Sequence, residues 1–328
     1  MTTTVAVTGI TGFLGRAIAR ALGERGLAVR GVVRRAVAVP EANELRVAAL
    51  EPGAALATAL ARADVVVHCA GGGRAVTADD FRRNNLDTTE AILAAIEGAA
   101  ARPRQFVLVS SVAAGGPDGN GADALSSAAC TARSSYGRHK WLAERACLEL
   151  ARRLGGEVQV TIVRAPAIYG PGDDRFAPLV RAARKGWLMA PSPDAPLSMI
   201  DVDDCAAGIV ATIEHPASGP RLYWLEDGER YSARRMSAAL ARHFGKRLHV
   251  ARIPLAALTA AALAAEAHAR VTGRAAFLTR DKLLDLTAPA WICDSKALRA
   301  ETGFRTRHTF EARVPAIVAS LGLGEARS

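Results

Sequence analysis

Tyr136 and Lys140, in the string Tyr136-Gly137-Arg138-His139-Lys140, are the residues whose types and spacing best suit chemistry. Four residues apart on a helix, a phenol and an ammonium share one face. A free phenol, with a pKa of about 10, is a poor acid or base at neutral pH, whereas a neighbouring cation favours the phenolate. The pair therefore reads as a device for passing a proton to or from an organic oxygen. Upstream, the apolar run Phe106-Val107-Leu108-Val109 ends in Ser110-Ser111. At the carboxyl end of a strand, Ser111 would offer its hydroxyl to the same oxygen. Asn85, at a helix start, is a candidate anchor for a water or backbone link in the proton chain. His139 lies between the pair but is rotated roughly 60° or more off their shared face, which predicts a surface or interface histidine. His68, at a strand end among apolar residues, reads as a packed core histidine.

Such a device needs a hydride carrier, and the N-terminus supplies a place for one. Thr4-Val5-Ala6-Val7-Thr8 reads as a buried strand that runs into Gly9-Ile10-Thr11-Gly12-Phe13-Leu14-Gly15 and an amphipathic helix over residues 13–22. Gly9 allows the tight turn, Gly12 lets backbone N–H groups approach phosphates, and Gly15 lets the helix pack close to the strand, its N-terminus facing the anion. Thr11, Phe13 and Leu14 complete this dinucleotide cradle. The second strand, residues 28–33, leads into Arg34 and Arg35. An acidic residue there would grip the ribose hydroxyls of NAD, whereas two cations fit a 2′-phosphate. The expected cofactor is NADP(H), with NAD(H) the alternative.

Together these segments resemble the extended branch of the short-chain dehydrogenase/reductase superfamily, and the likeness runs over nearly the whole chain. The TGxxGxxG spacing, the Ser and the YxxxK pair stand in the family's order. Val66-Val67-His68-Cys69-Ala70-Gly71 is similar to the segment lining the cofactor ribose, which implies contacts from Ala70 and Gly71. Asn84-Asn85-Leu86-Asp87-Thr88-Thr89 resembles the family's NNxxGT helix start, with Thr88 where Gly is usual. Arg164-Ala165-Pro166-Ala167-Ile168-Tyr169-Gly170-Pro171-Gly172-Asp173 resembles the stretch flanking the nicotinamide, which implies Pro166 and Ala167 as contacts. Val202-Asp203-Asp204 matches a late structural motif. The resemblance gives Lys140 a second role on the nicotinamide ribose. It also implies a homodimer formed through the Tyr136 helix and the helix beginning near Asn85, with Trp141, Leu142 and Leu148 as apolar surface. After the third strand, Ala49 stands where the family usually has an Asp near the adenine, leaving Leu50 beside it as the contact there.

Strand-like runs at residues 5–8, 28–33, 65–68, 106–110 and 158–164 alternate with helical patterns over 328 residues of 50% hydrophobic content, which predicts an α/β, Rossmann-type doubly wound parallel sheet with a smaller C-terminal substrate-binding cap. Residues 1–170, with 198–216, form the expected dinucleotide-binding unit, and 171–328 are mainly cap, with helices around 232–244 and 254–271. Five scattered cysteines without a CxxC pair suggest neither disulfides nor a metal site. The net charge of +10 falls on Arg spread along helices, with 5% aromatics and no nucleic-acid motif, so no nucleic-acid partner is expected. No run has membrane-spanning length, and a cytoplasmic protein is the expectation.

The substrate is expected to be small and apolar or acyl. In nucleotide-sugar epimerases and dehydratases of this branch, polar groups before YGPG meet the sugar diphosphate; here the stretch is Ala165-Pro166-Ala167. The acidic pair that follows the catalytic Ser or Thr in sugar dehydratases is replaced by Val112-Ala113-Ala114. The tail from Trp291 to Ala297, with Gly303-Phe304, is similar to the reductase and hydroxysteroid-dehydrogenase-like members. Candidate lining residues are Phe176, Trp187, Leu188, Met189, Trp224 and Trp291. The expected activity is reversible carbonyl reduction. The alternatives are a nucleotide-sugar epimerase or dehydratase that returns its hydride, and a non-catalytic cofactor-binding protein.

Overall fold

The computed structural model describes residues 2–72, 77–117, 130–273, 276 and 278–323. Its first part runs β1 (Thr4–Thr8), α1 (Phe13–Glu24), β2 (Ala28–Val33), β3 (Glu44–Val47), α2 (Ala54–Leu60), β4 (Val65–His68), α3 (Ala78–Phe81), a widened turn of helix at Arg82–Asp87, and α4 (Thr88–Glu97). There follow β5 (Gln105–Ser111), a 3-10 turn at Val112–Gly115, α5 (Ser135–Arg153), β6 (Gln159–Ala165) and β7 (Ala167–Tyr169). The remainder comprises a 3-10 turn at Asp174–Phe176, α6 (Ala177–Arg184), β8 (Trp187–Ala190), β9 (Met199–Asp201), α7 (Val202–Glu214), β10 (Arg221–Trp224), α8 (Ala233–His243), β11 (His249–Arg252), α9 (Leu255–Thr272), α10 (Arg280–Leu286), α11 (Lys296–Thr302) and α12 (Phe310–Ser320).

Seven strands form one sheet in the order β10-β6-β5-β4-β1-β2-β3, and every pairing in it is parallel. The order reverses between β1 and β4, which opens a crevice beyond the carboxyl ends of the strands. Period-two alternation sends Val5, Val7, Val65, Val67, Val107 and Val163 to the face covered by α1 and α7. Ala6, Val66, Phe106, Leu108, Val160 and Ile162 point to the opposite face, in a cluster with residues of α2, α4 and α5. The doubly wound parallel sheet expected from sequence is therefore present. The seventh strand corrects one detail: Arg221–Trp224, from the stretch assigned to the cap, pairs with β6. Its Tyr223 is buried in the main core, which is why the strand joins the sheet.

A separate cluster, built from Tyr169, Val180, Met199, Tyr231, Leu240, Phe310 and Ile317, holds the later helices together. β8 and β11 pair in a small parallel ribbon, and β7 pairs with β9. The two expected cap helices are α8 and α9. Among the described residues, no helix is long and apolar enough to cross a membrane.

At the crevice, close packing is set by glycine. Gly9 has φ +72°, and a Cβ on it would lie 2.6 Å from the Ala70 nitrogen. A Cβ on Gly15 would lie 2.1 Å from the Gly9 carbonyl oxygen, so α1 can only sit this close without a side chain there. His68 joins three elements beneath the turn. Thr89 Oγ1 donates to the Asn85 carbonyl at 2.6 Å, so it accepts from His68 Nε2 at 3.1 Å. His68 Nδ1 then accepts from Thr8 Oγ1 at 2.7 Å, and Thr8 Oγ1 accepts the Ala70 amide at 3.3 Å. The ring is held neutral with its proton on Nε2; burial, aided by the Lys140 charge, lowers its pKa to about 3.

Two outcomes follow. Gly15→Ala should destabilise the protein by about 1–3 kcal/mol in denaturant titration, because the neighbour it strikes is backbone. His68 stays neutral when folded but protonates near its ordinary pKa when unfolded, so its contribution is intact above about pH 6.5 and is lost as the pH falls toward 3. Unfolding free energy should therefore be about 2 kcal/mol lower at pH 5 than at pH 7 from this group, and His68→Gln should flatten that part of the pH profile.

Candidate active site

The first turn of α5 stands against the end of β5. Ser134 caps the helix by accepting the Gly137 amide at 3.1 Å, and Asp281 of α10 accepts the Ser135 amide at 2.7 Å. Gly137 is the contact point: a Cβ there would lie 2.4 Å from the Ala113 carbonyl oxygen. That approach sets Tyr136 beside Ser111, near enough for the serine hydroxyl to act on the phenol. Ser111 also accepts the Ala113 amide at 3.2 Å. Tyr136 is half-buried, its ring 6.1 Å from that of Phe81.

Burial raises the Tyr136 pKa above that of an ordinary phenol; the nearby Ser111 hydroxyl and the Arg175 charge act downward, and Asp285 acts upward. Lys140 is anchored to the sheet. Its buried Nζ donates to the Val109 carbonyl at 2.7 Å, and burial lowers its own pKa. In this chain the ammonium thus ties α5 to β5. Asn85 is bonded to backbone: its Nδ2 donates to the carbonyls of Gly72 at 3.2 Å and Phe81 at 3.0 Å, and its Oδ1 accepts the Gly72 amide at 3.2 Å. These bonds occupy the amide, so Asn85 clamps the loop after β4. His139 is half-buried and donates from Nδ1 to the Ser135 carbonyl of its own helix at 2.8 Å.

Below the phenol lies a buried ionic cluster that sequence reading missed. Arg164 at the end of β6 makes a two-pronged pair with Glu144 of α5, at 2.9 and 2.6 Å. Ser110 hydrogen-bonds the same carboxylate. The guanidinium stacks on Trp224, 4.8 Å from the ring centroid. Glu144 follows Lys140 by one helical turn, so one face of α5 carries both anchors to the sheet.

The cradle lies at the N-terminus of α1. Gly12 caps the helix without a side-chain hydrogen bond, and its first turn carries no acidic residue. Thr11 and Gly12 are exposed there, while Phe13 and Leu14 rest half-buried on the core. These features fit a pyrophosphate: free amides, a positive dipole end, and glycines where a Cβ would strike backbone. Ala70 is half-buried, Gly71 is exposed, and a Cβ on Gly71 would lie 2.8 Å from Asn85 Oδ1. Pro166 is buried and Ala167 exposed at the junction of β6 and β7. Leu50 packs half-buried on the α2 and α4 side, with Ala49 exposed next to it. Arg34 and Arg35 are exposed just beyond β2. Neither has a hydrogen bond or ion pair among the described residues, whereas nearby Arg30 and Arg46 both pair with Glu44.

Of the expected lining residues, Trp224 and Trp291 reach the surroundings of this site, Trp291 donating to the Asp285 carbonyl at 2.9 Å. Leu188 is buried, Phe176 packs on Phe310, and Trp187 and Met189 are largely exposed on β8. Arg175, which lies over the Phe13 ring at 5.6 Å and acts electrostatically on Tyr136, bridges cradle and phenol and carries no sequence signature.

Residues 5–225 match the model of the NAD dependent epimerase/dehydratase family. A ceramide reductase from Caulobacter vibrioides is 33% identical over 294 residues, covering 88% of this chain and 85% of that protein. A UDP-glucose 4-epimerase from Vibrio cholerae is 27% identical over 256 residues, covering 74% and 76%. The solved structure of MoeE5 with UDP-glucuronic acid and NAD has the same fold, with a TM-score of 0.75 at 22% identity, covering 97% and 98% of the two chains. With the family model matched over residues 5–225 and a relative 33% identical over most of its length, the chain belongs to the NAD dependent epimerase/dehydratase family of extended short-chain dehydrogenases/reductases.

Proposed function

We propose that this protein is an NADP(H)-dependent oxidoreductase that interconverts a carbonyl and an alcohol on an apolar or acyl substrate. The observation that carries the reading is the placement of Tyr136 beside Ser111, set by the close approach of Gly137 to the Ala113 carbonyl at the carboxyl edge of the sheet. The dinucleotide, when bound, supplies or accepts the hydride. Ser111 donates to the substrate carbonyl oxygen and orients it. Tyr136 delivers its proton to that oxygen as negative charge develops there, and takes it back in the alcohol-oxidising direction. Desolvation in the unliganded chain holds the phenol protonated, the state that reduction requires. Lys140 positions α5 through Val109 and places a cation beneath the reacting groups.

Residues 1–170, with 198–216, form the dinucleotide unit in this reading, and the later helices close over the substrate. The ceramide reductase relative supports an apolar substrate, as does the Ala165-Pro166-Ala167 wall. The unpaired Arg34 and Arg35 support NADP(H). A homodimer through α4 and α5 is consistent with the half-buried Trp141, Leu142 and Leu148 on α5. The second reading, nucleotide-sugar epimerisation, is favoured by the epimerase relative.

A carbonyl panel followed by NADPH absorbance, beside a nucleotide-sugar panel, separates the two: net NADPH consumption supports reduction, and sugar isomerisation without it supports the second. Tyr136→Phe should lower turnover by about 100-fold to 10,000-fold with little change in NADPH binding; near-normal turnover would refute the role of the phenol. Arg34→Ala and Arg35→Ala should each weaken NADPH about tenfold and leave NADH unchanged. Equal losses for both cofactors would remove the 2′-phosphate argument.

A further inference from the structure

α10 touches the catalytic helix through Asp281 on the Ser135 amide. One turn further along α10 stands Asp285, 8% exposed. Its Oδ2 lies 3.8 Å from the Lys282 ammonium, but Oδ1 is buried and has no hydrogen-bond partner among the described residues. The carboxylate is close enough to Tyr136 to act on the phenol's charge. A buried acceptor left without a donor is unfavourable, and a donor on a bound ligand would supply the missing partner.

Resting on the reading above, we propose that Asp285 is a specificity-determining residue whose Oδ1 accepts a hydrogen bond from a substrate hydroxyl or amide N–H located within a few atoms of the reacting carbonyl. The substrate class is thereby narrowed to ketones with a polar donor beside the carbonyl and an apolar remainder. The groups around the carboxylate act in both directions. Burial, with the Asp281 charge, raises the Asp285 pKa above the ordinary carboxylate value, while Lys282 on its own helix and Ser134 and Arg133 ahead of α5 act toward the ionised form. The helix is held in place independently of Oδ1, by the Asp281 bond and by Trp291 on the Asp285 backbone carbonyl. Replacing the side chain therefore leaves the docking of α10 intact.

The test compares a medium-chain β-hydroxy ketone with the ketone of equal length lacking the hydroxyl. For wild-type protein, kcat/KM should favour the hydroxy ketone. Asp285→Leu should reduce that preference about tenfold or more, through the hydroxy ketone alone, while Asp285→Asn, which keeps an acceptor oxygen, should retain most of it. Binding gives a second readout. In NADPH-loaded Tyr136→Phe protein, adding Asp285→Leu should raise the Kd of the hydroxy ketone about tenfold and leave that of the plain ketone unchanged. Equal losses on both ketones, or an unchanged preference, would overturn the assignment of Asp285 while leaving carbonyl reduction standing. Failure of the wild-type protein to reduce either ketone, with sugar isomerisation in its place, would overturn both.

Discussion

The whole site depends on how closely α5 approaches the end of β5. Gly137 presents only hydrogen to the Ala113 carbonyl, and no side chain fits between them. At that separation Tyr136 reaches Ser111, Lys140 reaches the Val109 carbonyl, and Glu144 reaches both Ser110 and Arg164. Three side chains on one helix face thus reach four groups at the ends of two strands. Because the Glu144–Arg164 pair is buried, each partner must find the other, and the register of helix against sheet has little freedom. Precise placement of a proton donor is what such a lock provides.

The opposite side of the crevice is held by the same logic with neutral groups. The chain of hydrogen bonds from Ala70 through Thr8, His68 and Thr89 to Asn85 has a single consistent direction, since each hydroxyl gives one proton and the carbonyl at its end can only accept. It joins β1, β4 and the start of α4 immediately below the cradle. Asn85 extends it to Gly72 and Phe81, so the loop that would meet a cofactor is fixed from beneath. A neutral histidine does this without adding charge to a buried place where Lys140 already contributes one.

Between these two rigid sides, the groups contributed by later parts of the chain are electrostatic. Arg175 and Asp285 approach Tyr136 with opposite effects on the phenol. Arg175 is itself paired with the buried Asp173 and stacked on Phe13, so it couples the stretch after Gly170 to the cradle. The fold places the glycine turn and the Tyr136–Ser111 neighbourhood on the sheet, while Arg175 and Asp285 stand on segments packed against it, where variation leaves the sheet undisturbed.

Local sequence determined those features that short-range physics controls. Alternating apolar runs set the strands and their two faces, and glycines at the turn after β1 set the cradle, because backbone sterics there admit no side chain. The four-residue spacing put Tyr136 and Lys140 on one helix face for the same geometric reason. Tertiary structure alone decided which partners the polar groups took. Lys140 took the Val109 carbonyl, Asn85 took the loop backbone, Glu144 took Arg164 from another strand, and Arg221–Trp224 joined the sheet at its edge. Asp285 lies in no motif at all, and its meaning comes from a burial and a proximity created by residues far away in the chain. Such pairings depend on which segments converge in space, and local propensity carries no information about that convergence.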